Sequence, residues 1–162
     1  MNTAQPYAPC IWVDADACSG AVKDVLYRTA RRVEIEVAVV ANQPIYVPQS
    51  EWIHLITVPH GANIADDRII EMMQPGDLVI TADIPLAARV VEKKGIALGH
   101  RGEVFDEHTV HSRLASRDLM EHFRSAGMET GGPAPFGSKD IQVFANALDR
   151  TLTQMFRPKK KS

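Results

Sequence analysis

Cysteine is scarce: among 162 residues there are only Cys10 and Cys18, in no CxxC pair and no Cys/His cluster. That excludes a disulfide framework and a zinc site of the usual spacing, and it reads both thiols as reduced. Long apolar runs are also missing. The longest, such as Leu78 to Ala82, fall far below the roughly 20 residues that cross a bilayer. No basic segment followed by an apolar stretch opens the chain, so the expected location is the cytoplasm, with no membrane contact. Nor is there an excess of charge of either sign. Eighteen Lys and Arg against 20 Asp and Glu give a formal charge of −2, which excludes a broad basic face for duplex nucleic acid and leaves only local contacts. Internal repeats and low-complexity segments are absent too, which excludes solenoid and array architectures.

What remains is an ordinary globular composition, 45% hydrophobic and 23% charged, at a length that buries a core unaided. One domain is expected over residues 1–162. Met1 to Pro9 reads as a loose arm and residues 157–162 as a basic tail.

Apolar patterning alternates strand with helix. Cys10 to Ala15 is a compact apolar run ending in acid. After Ser19, a natural N-cap, Val22, Val25, Leu26, Thr29, Ala30 and Val33 fall on one helical stripe. Glu34 to Ala41 is β-branched and closed by Asn42 and Pro44, completing a βαβ unit. A third extended run, His54 to Val58, leads through Pro59 and Gly61 to a helix with Asn63 and Asp66 at capping-box spacing and Ile69, Ile70 and Met73 on its apolar face. Pro75-Gly76 stops it. Asp77 to Ala82 has the near-continuous apolarity of a strand buried on both faces. A helix from about Pro85 to Lys94, ended by Gly95, precedes a short strand, Ile96 to Leu98.

The expected fold is therefore α/β, with a mostly parallel five-stranded sheet flanked by helices. A mixed-polarity helix up to about Ala126 and a last helix from Ser138 add a C-terminal pair. The last helix aligns Ile141, Phe144, Ala145, Leu148, Leu152, Met155 and Phe156 on one face that must pack on apolar surface. The Gly- and Pro-rich stretch Gly127 to Gly137 between them suits a lid, or simply a connection.

In such sheets ligands bind beyond the strand carboxyl ends, and acids gather there. Asp14 and Asp16 end the first strand, Asp66 and Asp67 open a helix, and Asp83 follows the strand Leu78 to Ala82. Hard divalent ions take oxygen ligands, so binding Mg²⁺ or Mn²⁺, one ion or two, is the simplest reason to collect carboxylates from separate loops. Plainer roles exist for each: a capping-box acid at Asp66, an N-cap at Asp83, a solvated helix-start charge at Asp67. Two acids closing a buried strand, as Asp14 and Asp16 do, serve no packing purpose. His60, His100, His108 and His111 pair with no acid at a metal-binding spacing.

The stretches Val13-Asp14-Ala15-Asp16-Ala17-Cys18, Ala65-Asp66-Asp67 and Gly76-Asp77-Leu78-Val79-Ile80-Thr81-Ala82-Asp83-Ile84-Pro85-Leu86-Ala87 resemble the YaiI/YqxD family of bacterial proteins. So do Arg101-Gly102-Glu103, Arg113-Leu114-Ala115 with Arg117-Asp118, Gly131-Gly132-Pro133, and Asp140 with Leu148-Asp149. The chain departs from the pattern at Ser19, where proline is expected, and at Asn63, where an aspartate is common. The family's domain is similar to the three-layer PIN-like nuclease fold. This resemblance implies that Asp14, the Asp66/Asp67 pair and Asp83 stand where those nucleases carry metal-binding acids.

On the nuclease reading, Asp14, Asp16 and Asp83 are the catalytic acids and the substrate is RNA, single-stranded or structured. Lys23, Arg101 and Arg117 are candidates for phosphates, and Thr81 places a hydroxyl nearby. For each base a solvated surface charge or a pairing with Glu103 or Asp118 is the commoner role, and Thr81 is equally a strand residue by propensity. A phosphatase with Asp14 as nucleophile is a second possibility. It places the acidic pair after the threonine strand, whereas Asp66-Asp67 precedes Thr81. The third is a non-catalytic module that binds nucleic acid or protein.

Overall fold

The computed structural model describes residues 8–125 and 137–156, without the side chains of 117, 118 and 120–125. Among the described residues six strands and five helices follow one another as β1 Cys10–Asp14, α1 Gly20–Val33, β2 Glu36–Ala41, β3 Ile53–Thr57, α2 Ile64–Met72, β4 Leu78–Ile80, α3 Ile84–Glu92, β5 Ile96–Leu98, β6 Val104–Phe105, α4 Glu107–Ser125 and α5 Ser138–Phe156. A 3-10 turn, Ala15–Ala17, joins β1 to α1.

All strands pair in one sheet of order β3-β2-β1-β4-β5-β6. The first five are parallel and β6 returns antiparallel to β5. Sequence patterning gives five strands. The sixth has two residues, too short for a period to register, and it forms because Gly102 turns the chain at φ 87° to set Ala97 opposite Phe105. The sheet runs outward from β1 in both directions, so the strand order reverses between β1 and β4. Their carboxyl ends frame the crevice where open α/β sheets take ligands.

Strand alternation divides the core in two. Ile11, Val13, Val37, Val39, Leu78 and Ile80 face a layer made by α1 and α5, where Val22, Leu26, Phe144 and Leu148 are fully enclosed. Trp12, Ala38, Val40, Val79 and Ala97 face the other way, onto Ile69 and Met73 beside α2, Leu86 and Val90 of α3, and Val110 of α4. This is the three-layer α/β arrangement expected, helical C-terminal pair included. The stripe on α5 buries Phe144, Leu148 and Leu152, but Phe156 at its end is half exposed. No described helix is long and apolar enough to cross a membrane.

Local signals hold with two corrections. Ser19 caps α1, its hydroxyl accepting from Val22 N at 3.3 Å. Asn63 does not complete a capping box: it stands at α2's N-cap in the left-handed region, φ 65°, and its side chain makes no cap hydrogen bond. Gly95 does not supply the left-handed turn after α3. Lys94 does so at φ 72°, and Gly95 is required because a Cβ there would collide with Met73 and Val90. Of the arm Met1 to Pro9 all but the last two residues, of the Gly127 to Gly137 stretch read as a lid all but Gly137, and the whole tail 157–162 lie outside the described residues.

Asp77, by sequence pattern only a strand start, is fully buried at the amino end of β4. Its carboxylate accepts from Trp12 Nε1 at 2.9 Å, Cys10 N at 3.0 Å and Gln74 N at 2.9 Å. It ties β1 to β4 at the end of the sheet opposite the other acids.

Candidate functional site

Register places the site. Val13 of β1 pairs with Ile80 of β4, so Asp14 and Thr81 leave the sheet side by side, and the next turn delivers Asp83. Thr81 is fully buried; its hydroxyl accepts from Asp83 N at 2.9 Å and donates to the Asp14 carboxylate. Asp83 caps α3, with Oδ1 accepting from Leu86 N at 3.0 Å. A cap occupies one carboxylate oxygen and leaves the other for a ligand.

Asp14 is the electrostatic centre. It is only 7% exposed, and its pKa is raised from 3.8 to about 6 by burial, then by the charges of Asp66, Asp83 and Asp16, against the hydrogen bond from Thr81. Asp66 is half-buried and also raised, by desolvation and by Asp83, with Arg89 working the other way. Residues distant in the chain thus form one mutually repelling group. Among the described residues, however, no three His, Cys, Asp or Glu side chains are drawn together tightly enough to form a metal shell.

The remaining acids are placed differently. Asp16 is exposed, and its Oδ2 accepts from Asn42 N at 2.9 Å, pinning the turn after β1 to the end of β2. Asp67 lies on the solvent side of α2 and pairs with Arg89 of α3 at 2.8 Å. Asp66 is therefore the member of its pair that meets the other acids. Lys23 sits in the second turn of α1, close enough to Cys18 to favour its thiolate, though burial dominates and pushes the thiol up to about 12. The Arg117 side chain lies outside the described residues.

A pocket of about 430 Å³ opens beside the acids, reached from Ala17 and Ser19 on one side and from Ala82 and Ile84 on the other. Phe105 and Gly99 complete its apolar part, while His100, Arg101, Glu103 and Arg113 supply charge and polarity. Arg101 pairs with Asp140 at 3.2 Å and Arg113 with Glu103. His100 Nε2 is enclosed with no hydrogen-bond partner among the described residues, and burial lowers the pKa of the ring. Sequence reasoning misses His100, which has no partner at a recognisable spacing, and finds in Arg113 only a match to the family pattern. Proximity to the β5–β6 turn selects them, and that turn leaves no signal in the apolar pattern.

Comparison with known proteins places this architecture. A profile described as "Uncharacterized BCR, YaiI/YqxD family" matches residues 12–154. The chain belongs to the YaiI/YqxD family. Among its curated relatives, a UPF0178 protein of Shewanella woodyi is 49% identical over 148 residues, covering 91% of this chain and 98% of its own. A UPF0178 protein of Bordetella parapertussis is 52% identical over 147 residues, covering 91% and 92%. One from Shewanella loihica is 51% identical over 144 residues, covering 89% and 96%. For this member of the YaiI/YqxD family, both the acids and the pocket lie inside the matched span.

Proposed function

We propose that the protein is a divalent-metal-dependent phosphodiesterase acting on RNA, with its centre between the carboxyl ends of β1 and β4. The observation that carries this reading is convergence at the ends of β1 and β4: the buried Asp14 is crowded by Asp66, Asp83 and Asp16, with Arg89 offsetting only Asp66. Such crowding costs stability, and perturbed acids in a crevice favour a functional role over a packing one. The donor set suits Mg²⁺ or Mn²⁺, because a hard ion of this kind keeps several waters and needs only one or two protein carboxylates with the substrate's phosphate. The absence of a tight three-acid shell among the described residues is compatible with that mode.

Asp14 and Asp83 would hold the ion with Asp66 beside them, and the bound cation would supply Lewis-acid activation of water and charge neutralisation at phosphate. The residues of the chain do the positioning. Thr81 donates to Asp14 and accepts from Asp83 N, fixing the two acids relative to each other. Asp16, fastened to Asn42 N, keeps a negative charge at the rim that can orient a metal-bound water. The test is cleavage of single-stranded RNA with Mn²⁺ by wild type, Asp14→Asn and Asp83→Asn. Wild type alone is expected to cut. Equal cleavage by all three rejects the proposal, and Mn²⁺ binding without cleavage by wild type leaves a non-catalytic binding module.

A further inference from the structure

The geometry points to the pocket beside the acids as a subsite for one unstacked nucleotide of a single-stranded chain, with its phosphate at the Arg113 rim and its nucleoside over the apolar part. This deepens the phosphodiesterase reading and rests on it for the identity of the ligand. Four observations lead there. At about 430 Å³ the pocket falls within the roughly 300–1,000 Å³ of small-ligand sites. A duplex does not enter such a space, whereas a single extruded nucleotide does.

Its lining carries both chemistries a nucleotide needs. Ala17, Ala82, Ile84 and Phe105 offer apolar surface, and Arg101 and Arg113 add cationic groups. A guanidinium has five donors, so pairing of Arg113 with the single carboxylate of Glu103 leaves N–H groups for phosphate. Both crevice helices also begin here. Ser19 caps α1 and Ile84 opens α3, so two positive helix ends border the pocket. At Gly20, the first residue of α1, an added Cβ would meet nothing within 4 Å, so the backbone amides there are open to approach. Finally, His100 brings an enclosed Nε2 with no hydrogen-bond partner among the described residues, and buried polar atoms are rarely left so.

Location decides the class of ligand. Ala82 and Ile84 flank Asp83, and Ala17 follows Asp16, so the nucleotide next to a phosphate held at the acids lies within reach of this pocket.

The experiment is calorimetric titration of the full chain with AMP, UMP and inorganic phosphate, each in Mn²⁺ and in EDTA. It uses wild type, Arg113→Gln and Ala82→Leu; Ala82 is exposed, so leucine there fills the pocket mouth without entering the core. At least one of AMP and UMP is expected to bind wild type ten times tighter than phosphate, and each variant is expected to lose at least tenfold of that affinity. Both variants should keep the wild-type Mn²⁺ thermal shift. Nucleotide binding no tighter than phosphate, or unchanged in both variants, overturns the subsite. If wild type shows no Mn²⁺ shift the metal reading fails, while nucleotide binding in EDTA that both variants weaken still supports the pocket. Mn²⁺ binding without nucleotide binding fails the pocket alone.

Discussion

Replacing Asp14 by asparagine is expected to stabilise the metal-free protein, an unusual outcome for a buried polar position. The carboxyl is raised from 3.8 to about 6 in the fold, so above pH 6 the native state holds a charge that the unfolded chain holds more comfortably. A rise of that size corresponds to about 3 kcal/mol. Residual water contact and the loss of a charged acceptor for the Thr81 hydroxyl, itself worth about 1 kcal/mol, reduce the net gain of Asp14→Asn to about 1–2 kcal/mol. For a chain of this size that is a rise of roughly 2–8 °C in Tm. The sign follows the titration. Below about pH 4 the acid is protonated in both states and contributes nothing; as pH rises to about 6 the native state alone retains the proton, and wild type loses stability that the asparagine variant keeps.

The assay is thermal unfolding by circular dichroism in EDTA from pH 4 to pH 8. The gap between variant and wild type should be near zero at pH 4 and full above pH 6. His100 titrates in both proteins and cancels from the difference, while Asp66, coupled to Asp14 by charge, contributes to the same gap. Saturating Mn²⁺ should then reverse the order, since ligand at 100 times Kd adds about 2.7 kcal/mol to wild type only. A variant less stable than wild type at pH 7, or a gap that ignores pH, refutes the claim that the carboxylate is crowded and makes it a plain hydrogen-bond acceptor.

Two other substitutions separate scaffold from site. Asp77→Ala strands the Trp12 indole and the amides of Cys10 and Gln74, and at roughly 1–3 kcal/mol per orphaned donor it should cost at least 3 kcal/mol, read as a Tm fall with altered Trp12 fluorescence and full Mn²⁺ response in what remains folded. Asp67→Asn breaks only the exposed pair with Arg89 and should change stability by less than about 1 kcal/mol while keeping the Mn²⁺ shift, whereas Asp66→Asn should diminish that shift; the reverse pattern would make Asp67 the ligand.

The sequence by itself determined the layers and the neighbourhood of the acids. Apolar runs with period two or continuous burial, helical stripes and the Ser19 and Asp83 caps are local properties, and they fixed β1 to β5, α1 and α3 to within a few residues. A parallel sheet then requires the acids that close β1 and follow β4 to share its carboxyl edge, whatever the strand order. Only tertiary structure decided which acids meet. The order that makes β1 and β4 neighbours sets Asp14 against Asp83, and the rotation of α2 turns Asp66 inward and Asp67 toward Arg89. Adjacent positions on a helix point about 100° apart, so a sequence pair of acids does not reveal its working member. The two-residue β6, the pocket it helps to wall and the buried Asp77 belong to the same class: each arises from residues brought together across the sheet, where no local period records them.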